Sequence, residues 1–385
     1  MEFKATNPFS IGMELELQLV DSRTLNLADR ILPLMEFYPD SPYVKPEFIQ
    51  NTVEIASKVC DSASKLQSHV TSLVSELSTR CRKLGTSLCG AGSHPFCERL
   101  ALITPLPRYL KIEESTGYVS HTQITFATHV HIGMTSGDEA IALLRGLKPY
   151  LPLLIAVSAN SPFWRGYDTS YASYRHRILA ATRSYGIPPS FQSWADFSHF
   201  FDTSRRAGMF ETINDIHWDI RPRPHLGTLE IRVMDAQSTV SDAIALAAFV
   251  RALIVYLRRT QGAARSGQLL KPLPWWIEKN NHFQASRLGL DAMYVSDEQG
   301  RVRPLVDIFR EVTDAVAVAA EELGETRYLQ HLTAAMESGP GYTRQRRIYR
   351  RTASLKCVVS SLVDRLKQDT LPRHSSDCAR VTSCR

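Results

Sequence analysis

Polar and apolar residues alternate along three short stretches of the chain: Gly12-Met13-Glu14-Leu15-Glu16-Leu17, His129-Val130-His131-Ile132-Gly133 and Thr228-Leu229-Glu230-Ile231-Arg232-Val233. A period of two marks a strand with one buried face, because successive side chains point to opposite sides. The first stretch reads as a strand over residues 9–20, and residues 43–57 hold a second strand pattern that runs through Glu47-Phe48-Ile49-Gln50-Asn51-Thr52-Val53-Glu54-Ile55. Residues 86–91 read as a short buried strand entering Gly90-Ala91-Gly92-Ser93-His94-Pro95, residues 122–134 as the histidine strand and 226–235 as the third alternating strand. Helical spacing recurs between them. Leu66, Val70, Leu73, Val74 and Leu77 fall on one stripe of a helix over 61–84, with Asp61 as N-cap and Gly85 as its stop. Further helices are predicted over Asp138–Ala159, Ser170–Arg183, Ser241–Arg259, Asp307–Leu323 and Arg344–Leu366. Pro149 and Pro152 should break the first of these, since each removes a backbone donor.

No repeat of fixed period and no low-complexity linker divides the chain. The alternating strands span residues 12 to 232, so one interleaved domain is expected over 1–368. Asp369 to Arg385 is polar, contains Pro372 and lacks periodicity, which predicts a disordered tail. The 385 residues are 44% hydrophobic and 22% charged, enough for a large core. The net charge of +6 suits an anionic substrate such as a nucleotide, and equally a solvated face. Arg344, Arg346, Arg347, Arg350 and Arg351 concentrate that charge near the C-terminus. The 7 cysteines are odd in number, irregularly spaced and without a Cys-x-x-Cys pair, which argues against a disulfide framework or a cysteine-based zinc cluster. Met1-Glu2-Phe3-Lys4 is followed by no apolar run, and no stretch approaches the roughly 20 apolar residues of a membrane span. A cytoplasmic protein is expected, with neither membrane nor nucleic acid as partner and a homodimer as the default assembly.

The wet faces of the three strands carry unusual chemistry. Glu14 and Glu16 share a face, as do His129 and His131, and Glu230 and Arg232. Alone, each pair is a solvated face, a satisfied histidine pair or a surface ion pair; three together predict a sheet face that is an active site. Glu47 and Glu54 add carboxylates, although their odd separation would put them on opposite faces of a regular strand unless a bend or bulge intervenes. Converging carboxylates repel unless cations neutralise them. Mg²⁺ takes oxygen ligands and keeps positions open for phosphate; a nitrogen from His129 or His131 makes Mn²⁺ an alternative. Arg232 would meet a phosphoryl oxygen.

Several longer stretches resemble one family. They are Ile11-Gly12-Met13-Glu14-Leu15-Glu16-Leu17-Gln18-Leu19, Gln50-Asn51-Thr52-Val53-Glu54-Ile55, the histidine strand, Ser158-Ala159-Asn160-Ser161-Pro162-Phe163-Trp164-Arg165-Gly166 and Tyr171-Ala172-Ser173-Tyr174-Arg175. Trp218-Asp219-Ile220-Arg221, Gly227 to Asp235, Leu288-Gly289-Leu290-Asp291 and Arg344-Gln345-Arg346 continue the series. Together they are similar to the glutamate–cysteine ligases of the second type, the carboxylate–amine ligases, over roughly residues 8 to 366. The resemblance implies an α+β, glutamine synthetase-like fold. Its curved, mainly antiparallel sheet would carry the active site on an open face and helices on the other.

It also implies ATP-dependent amide formation through an acyl phosphate, from small-molecule amino acid and amine substrates. Glu14, Glu16, Glu47, Glu54, His129 and Glu230 would hold magnesium, His131 and Arg232 would face the nucleotide, and Arg232 with Glu230 would be catalytic. Arg175 and Arg177 would bind substrate. One departure stands out. Where the family pattern reads Asn-Arg-Trp-Arg-Ala, this chain has Asn281-His282-Phe283-Gln284-Ala285, so two basic positions become His282 and Gln284. Two competing readings are a guanidino kinase on a related sheet, which would need an arginine-dominated phosphate site, and a non-catalytic binding protein on the same fold.

Overall fold

The alternating stretches fold as neighbouring strands of one sheet. In the computed structural model, which describes residues 1–262 and 268–371, the strands are β1 (Ile11–Asp21), β2 (Val44–Pro46), β3 (Thr52–Ala56), β4 (Thr86–Cys89), β5 (Ala127–Gly133), β6 (Ile220–Arg223) and β7 (Thr228–Asp235). They form a 7-stranded sheet in the order β2-β3-β1-β5-β7-β6, and β4 pairs with the end of β1. Every pairing in this sheet is antiparallel. Alternation then does what the pattern predicts. Met13, Leu15 and Leu17 of β1, Val53 and Ile55 of β3, Val130 and Ile132 of β5, and Leu229 and Ile231 of β7 enter one hydrophobic core. Their polar neighbours Glu14, Glu16, Glu54, His129, His131 and Glu230 take the other face.

Two helices dominate the core side. Helix α1 (Ala63–Lys83) buries Leu66, Val70, Val74 and Leu77, and α2 (Val240–Gly262) buries Leu246, Val250, Leu253 and Leu257. The N-cap of α1 is Ser62 rather than Asp61, because the Ser62 hydroxyl accepts from the Lys65 backbone N–H while Asp61 instead pairs with the Lys65 ammonium at 2.6 Å. Pro149 interrupts the Asp138–Ala159 segment as expected: Gly137–Leu147 and Leu151–Ser158 are α-helical, with a 3₁₀ turn over Lys148–Tyr150. The Arg344–Leu366 segment is two helices, Gly341–Thr352 and Leu355–Thr370, parted where Ala353 turns left-handed (φ 51°) and Ser354 caps the next helix. Between Ser170 and Arg183 only Arg175–Leu179 is α-helical.

The apolar content of two segments exceeds the sequence expectation. Gly137–Ser158 and Val240–Thr260 are long and apolar enough to cross a bilayer, but 89% of each window is buried inside the protein, as in core helices. Of the expected tail, Asp369 and Thr370 complete the last helix, and 372–385 lie outside the described residues. Cys60, Cys81, Cys89, Cys97 and Cys357 are free thiols. The Gly90-Ala91-Gly92 turn owes its composition to crowding. A Cβ on Gly92 would lie 2.5 Å from the buried Asp235 carboxyl carbon. That carboxylate in turn accepts from the Asn160 backbone N–H and the Ser161 and Ser173 hydroxyls.

Candidate active site

Register decides which polar groups meet. Glu16 lies opposite Glu54 across β1 and β3, Glu14 opposite His129 across β1 and β5, and His131 opposite Glu230 across β5 and β7. Arg221 lies opposite Glu230 across β6 and β7. The expected conflict between Glu47 and Glu54 dissolves because 43–57 is a hairpin rather than one strand. Lys45 pairs with Glu54 and Pro46 with Val53. In a hairpin of that register an odd separation puts both residues on the same face. Glu47 follows β2 directly, and its carboxylate accepts from the Phe48 backbone N–H at 2.6 Å.

At one end of the face, carboxylates crowd together without cationic partners to match them. Burial, then Glu14, Glu47 and Glu16, push Glu54 well above the usual carboxylate range. Burial, then Glu47, raise Glu16 from 4.5 to about 7, against the pull of Arg175 and Arg232. Such elevation means that the protonated forms are favoured until something positive arrives. Tyr109, on the helix Pro107–Thr116, lies close enough for burial and then Glu47, Glu54 and Glu16 to raise its phenol. The donor set is all oxygen at this end, which suits a hard cation of the magnesium class.

The histidines stand in the middle. Burial lowers His129 to about 4, so it is neutral at pH 7, and its Nδ1 lies 3.0 Å from Glu14. Burial alone would raise Glu14, but the His129 and His131 imidazoles beside it hold it well below its ordinary value. His131 Nδ1 meets the Thr228 hydroxyl at 3.1 Å and its Nε2 lies 3.3 Å from Glu14 and 3.9 Å from Glu230. Nε2 of both histidines is buried without a hydrogen-bond partner, leaving two nitrogens free to take a ligand. Glu14, His131 and Glu230 offer ligand atoms within 4.8 Å of one another, which sets His131, expected to face the nucleotide, among groups that could hold a cation.

The other end is cationic. Glu230 is fully buried and receives Arg221 Nε at 3.0 Å, Arg223 at 3.4 Å and the Arg232 guanidinium. Burial would raise Glu230, yet Arg221 and then Arg232 hold it well below its ordinary range. Burial also drops Arg221 to about 9, partly offset by Glu230. The signal for Arg221 and Arg223 was present: they form a fourth same-face pair at i and i+2, on a strand shortened and obscured by Pro222.

Arg175 and Arg177 do not share one environment. Pairing between β5 and β7 slips beside His129, so that Arg232 and Val233 together face one residue. Arg175, buried, donates to the Val233 carbonyl at 3.3 Å and the Arg232 carbonyl at 3.2 Å. Its guanidinium therefore satisfies the bulge that aims Arg232, while its Nε stays buried without a hydrogen-bond partner. Arg177 is half-buried with its guanidinium over the Phe283 ring at 5.4 Å.

The family model for glutamate-cysteine ligase family 2 matches residues 10–365. The chain belongs to that family. A Trichormus variabilis protein provisionally named glutamate–cysteine ligase 2 is 48% identical over 369 residues, covering 96% of this chain and 95% of its own. A Thermobifida fusca protein with the same provisional name is 34% identical, covering 94% of this chain and 92% of its own. Among solved structures, the glutamate–cysteine ligase of Francisella tularensis in complex with AMP superposes with a TM-score of 0.69 at 14% identity, over 96% of this chain and 90% of that one. A bifunctional glutathione synthetase from Pasteurella multocida gives 0.66 at 12% identity, over 95% of this chain and 53% of that one. The expected α+β, glutamine synthetase-like fold is thus borne out.

Proposed function

We propose that the protein is an ATP-dependent carboxylate–amine ligase, with glutamate and cysteine as the substrate pair to test first. The observation that carries this reading is the polarity of one sheet face. Carboxylates whose protons are held too tightly stand at one end and three arginines at the other, with unpartnered histidine nitrogens between. A divalent cation and a polyanion side by side would balance it. Family membership supports the ligase class, the names of the relatives suggest the substrates, and AMP in the Francisella tularensis protein favours an adenine nucleotide.

Glu14, Glu16, Glu47, Glu54, His129 and Glu230 would hold magnesium, which supplies charge neutralisation at phosphate when bound. In the reaction, an oxygen of the substrate carboxylate attacks the γ-phosphorus of ATP, forming an acyl phosphate and releasing ADP. The amine nitrogen then attacks the acyl carbon, phosphate leaves, and the nitrogen gives up its proton. The first step is hindered by charge, an anion approaching a polyanion, so positioned cations contribute most. Arg232 would supply one at the phosphoryl oxygens, held in aim by the Arg175 contacts to its own carbonyl. His131 would meet the nucleotide. Glu230 keeps the three guanidiniums together, which like charges would otherwise oppose.

The test is ADP release from Mg²⁺ and ATP, screened across amino acids paired with amines. Release that needs both glutamate and cysteine, with a γ-glutamyl amide as product, is the expected result. No release above background with any carboxylate–amine pair would sink the reading. The arginine end lends some support to the guanidino-kinase alternative, and a stable phosphorylated guanidine as product would favour that instead.

A further inference from the structure

Away from the face just described, one more set of metal-ligating side chains converges among the described residues. His176, Asp219 and His282 are all buried, and one ligand atom from each lies within 4.8 Å of the others. His176 comes from the helix Arg175–Leu179, Asp219 from the residue before β6, and His282 from the helix Trp275–Leu288. His282 Nε2 lies 3.0 Å from Asp219 Oδ2, and the two imidazoles meet edge to face with centroids 5.0 Å apart. A buried His–Asp hydrogen bond would by itself be ordinary. Here Asp219 Oδ1 is buried without any hydrogen-bond partner, and His176 Nε2 has none of good geometry, with only the Val233 carbonyl close enough to act on the ring. Buried polar groups are nearly always paired, so each unpaired one calls for an occupant.

We propose that His176, Asp219 and His282 form a binding site for a transition-metal dication, Zn²⁺ foremost. Two imidazoles and one carboxylate are a donor set that zinc takes in tetrahedral geometry with a fourth position for water, whereas magnesium prefers oxygen throughout. The second sphere is in place. His176 Nδ1 hydrogen-bonds the Tyr185 hydroxyl, and donation from Nδ1 leaves the Nε2 lone pair for the metal. Tetrahedral ligands at about 2.0–2.1 Å from zinc sit roughly 3.3 Å apart, so the three side chains would draw inward on loading. Arg175 and Arg177 oppose a cation here, since their charge acts on His176; the Asp219 and Asp235 carboxylates, which act on Tyr185, favour it. The metal would also brace the ligase face. The Asp219 carbonyl accepts the Arg232 backbone N–H at 2.8 Å, and Arg175, next to His176, holds the Arg232 carbonyl.

The experiment is zinc retention by the full chain, freed of any affinity tag, loaded with Zn²⁺ and dialysed against excess Mg²⁺. Zinc is quantified with a chromophoric chelator, and Co²⁺ replacement supplies a visible spectrum. Wild type and His129→Gln should each keep about one equivalent, because burial makes release slow. His282→Arg, which preserves a donor to Asp219, and His176→Asn should each lose it together with the cobalt bands. Tyr185→Phe should weaken retention by about 10–100-fold. Wild-type protein that keeps no zinc would overturn the proposal, whatever the variants do. So would zinc that survives both His282→Arg and His176→Asn, or that leaves with His129→Gln, since the ion would then belong to the ligase face.

Discussion

The two ends of the polar sheet face are built by the same rule and finished differently. Around Glu16 and Glu54, side chains at i and i+2 on paired strands bring like charges together, and burial then holds their protons on. Around Glu230, the same alternation brings opposite charges together. The deepest carboxylate of the face is ionised, because Arg221, Arg223 and Arg232 surround it. The carboxylate at one end is therefore complete with partners from the chain, and those at the other would be balanced by the proposed cation. Excess positive charge at the complete end is what a phosphate would answer. The contrast explains why a single sheet face could serve both a metal and a nucleotide: each end presents the charge that its ligand lacks.

Breaking the arginine end should cost the most. Glu230→Ala leaves three guanidiniums near a fully buried position, and loss of one partner of a buried ion pair costs about 3–5 kcal/mol. Urea unfolding should register that loss with or without Mg²⁺. A loss much below 1 kcal/mol would mean that the arginines reach water on their own.

The carboxylate end should behave in the opposite sense. Glu16 has a folded pKa of about 7 against an ordinary 4.5, so its contribution to stability is fully present below pH 4.5 and lost as pH rises through 7. Glu16→Gln removes that loss. Relative to wild type, the variant should gain stability between pH 4.5 and 7, up to about 3 kcal/mol, and then level off. Added Mg²⁺ should shrink the gain, because the cation does for wild type what the amide does for the variant. A stability difference independent of pH would remove the electrostatic explanation.

The smallest effect links the two ends. Arg175→Ala strips the donors from the Arg232 and Val233 carbonyls, and orphaned buried acceptors cost about 1–3 kcal/mol. Thermal unfolding should fall accordingly, while KM for ATP rises more than KM for the amine. An effect confined to amine binding would instead make Arg175 the substrate contact that the family resemblance implied.

Much of this face could be read from the chain itself, and the reasons for the gaps are specific. The β1, β5 and β7 pairs were visible because their apolar neighbours are core residues, so period-two alternation survives intact. The β2–β3 hairpin was read as one strand because its turn hides Ile49, which is buried and pairs with Ile103 instead of facing solvent. The β6 strand is four residues with a proline inside, too short to alternate convincingly. The position of Arg175 was not legible at all. Its acceptors lie 57 and 58 residues away and arise from a bulge, a defect in pairing that leaves no trace in a single strand's pattern. The His176, Asp219 and His282 cluster was equally hidden, since three separate elements supply it.

The central claim, that Glu16 and Glu54 share a cation-demanding cluster, is tested most directly by titrating Mg²⁺ calorimetrically at pH 7 in buffers of different ionisation enthalpy. Wild type should bind Mg²⁺ with release of protons, and Glu54→Gln should release fewer and bind more weakly, because the bound cation displaces the protons that burial holds there. Binding without proton release, equally strong in Glu54→Gln, would contradict the account.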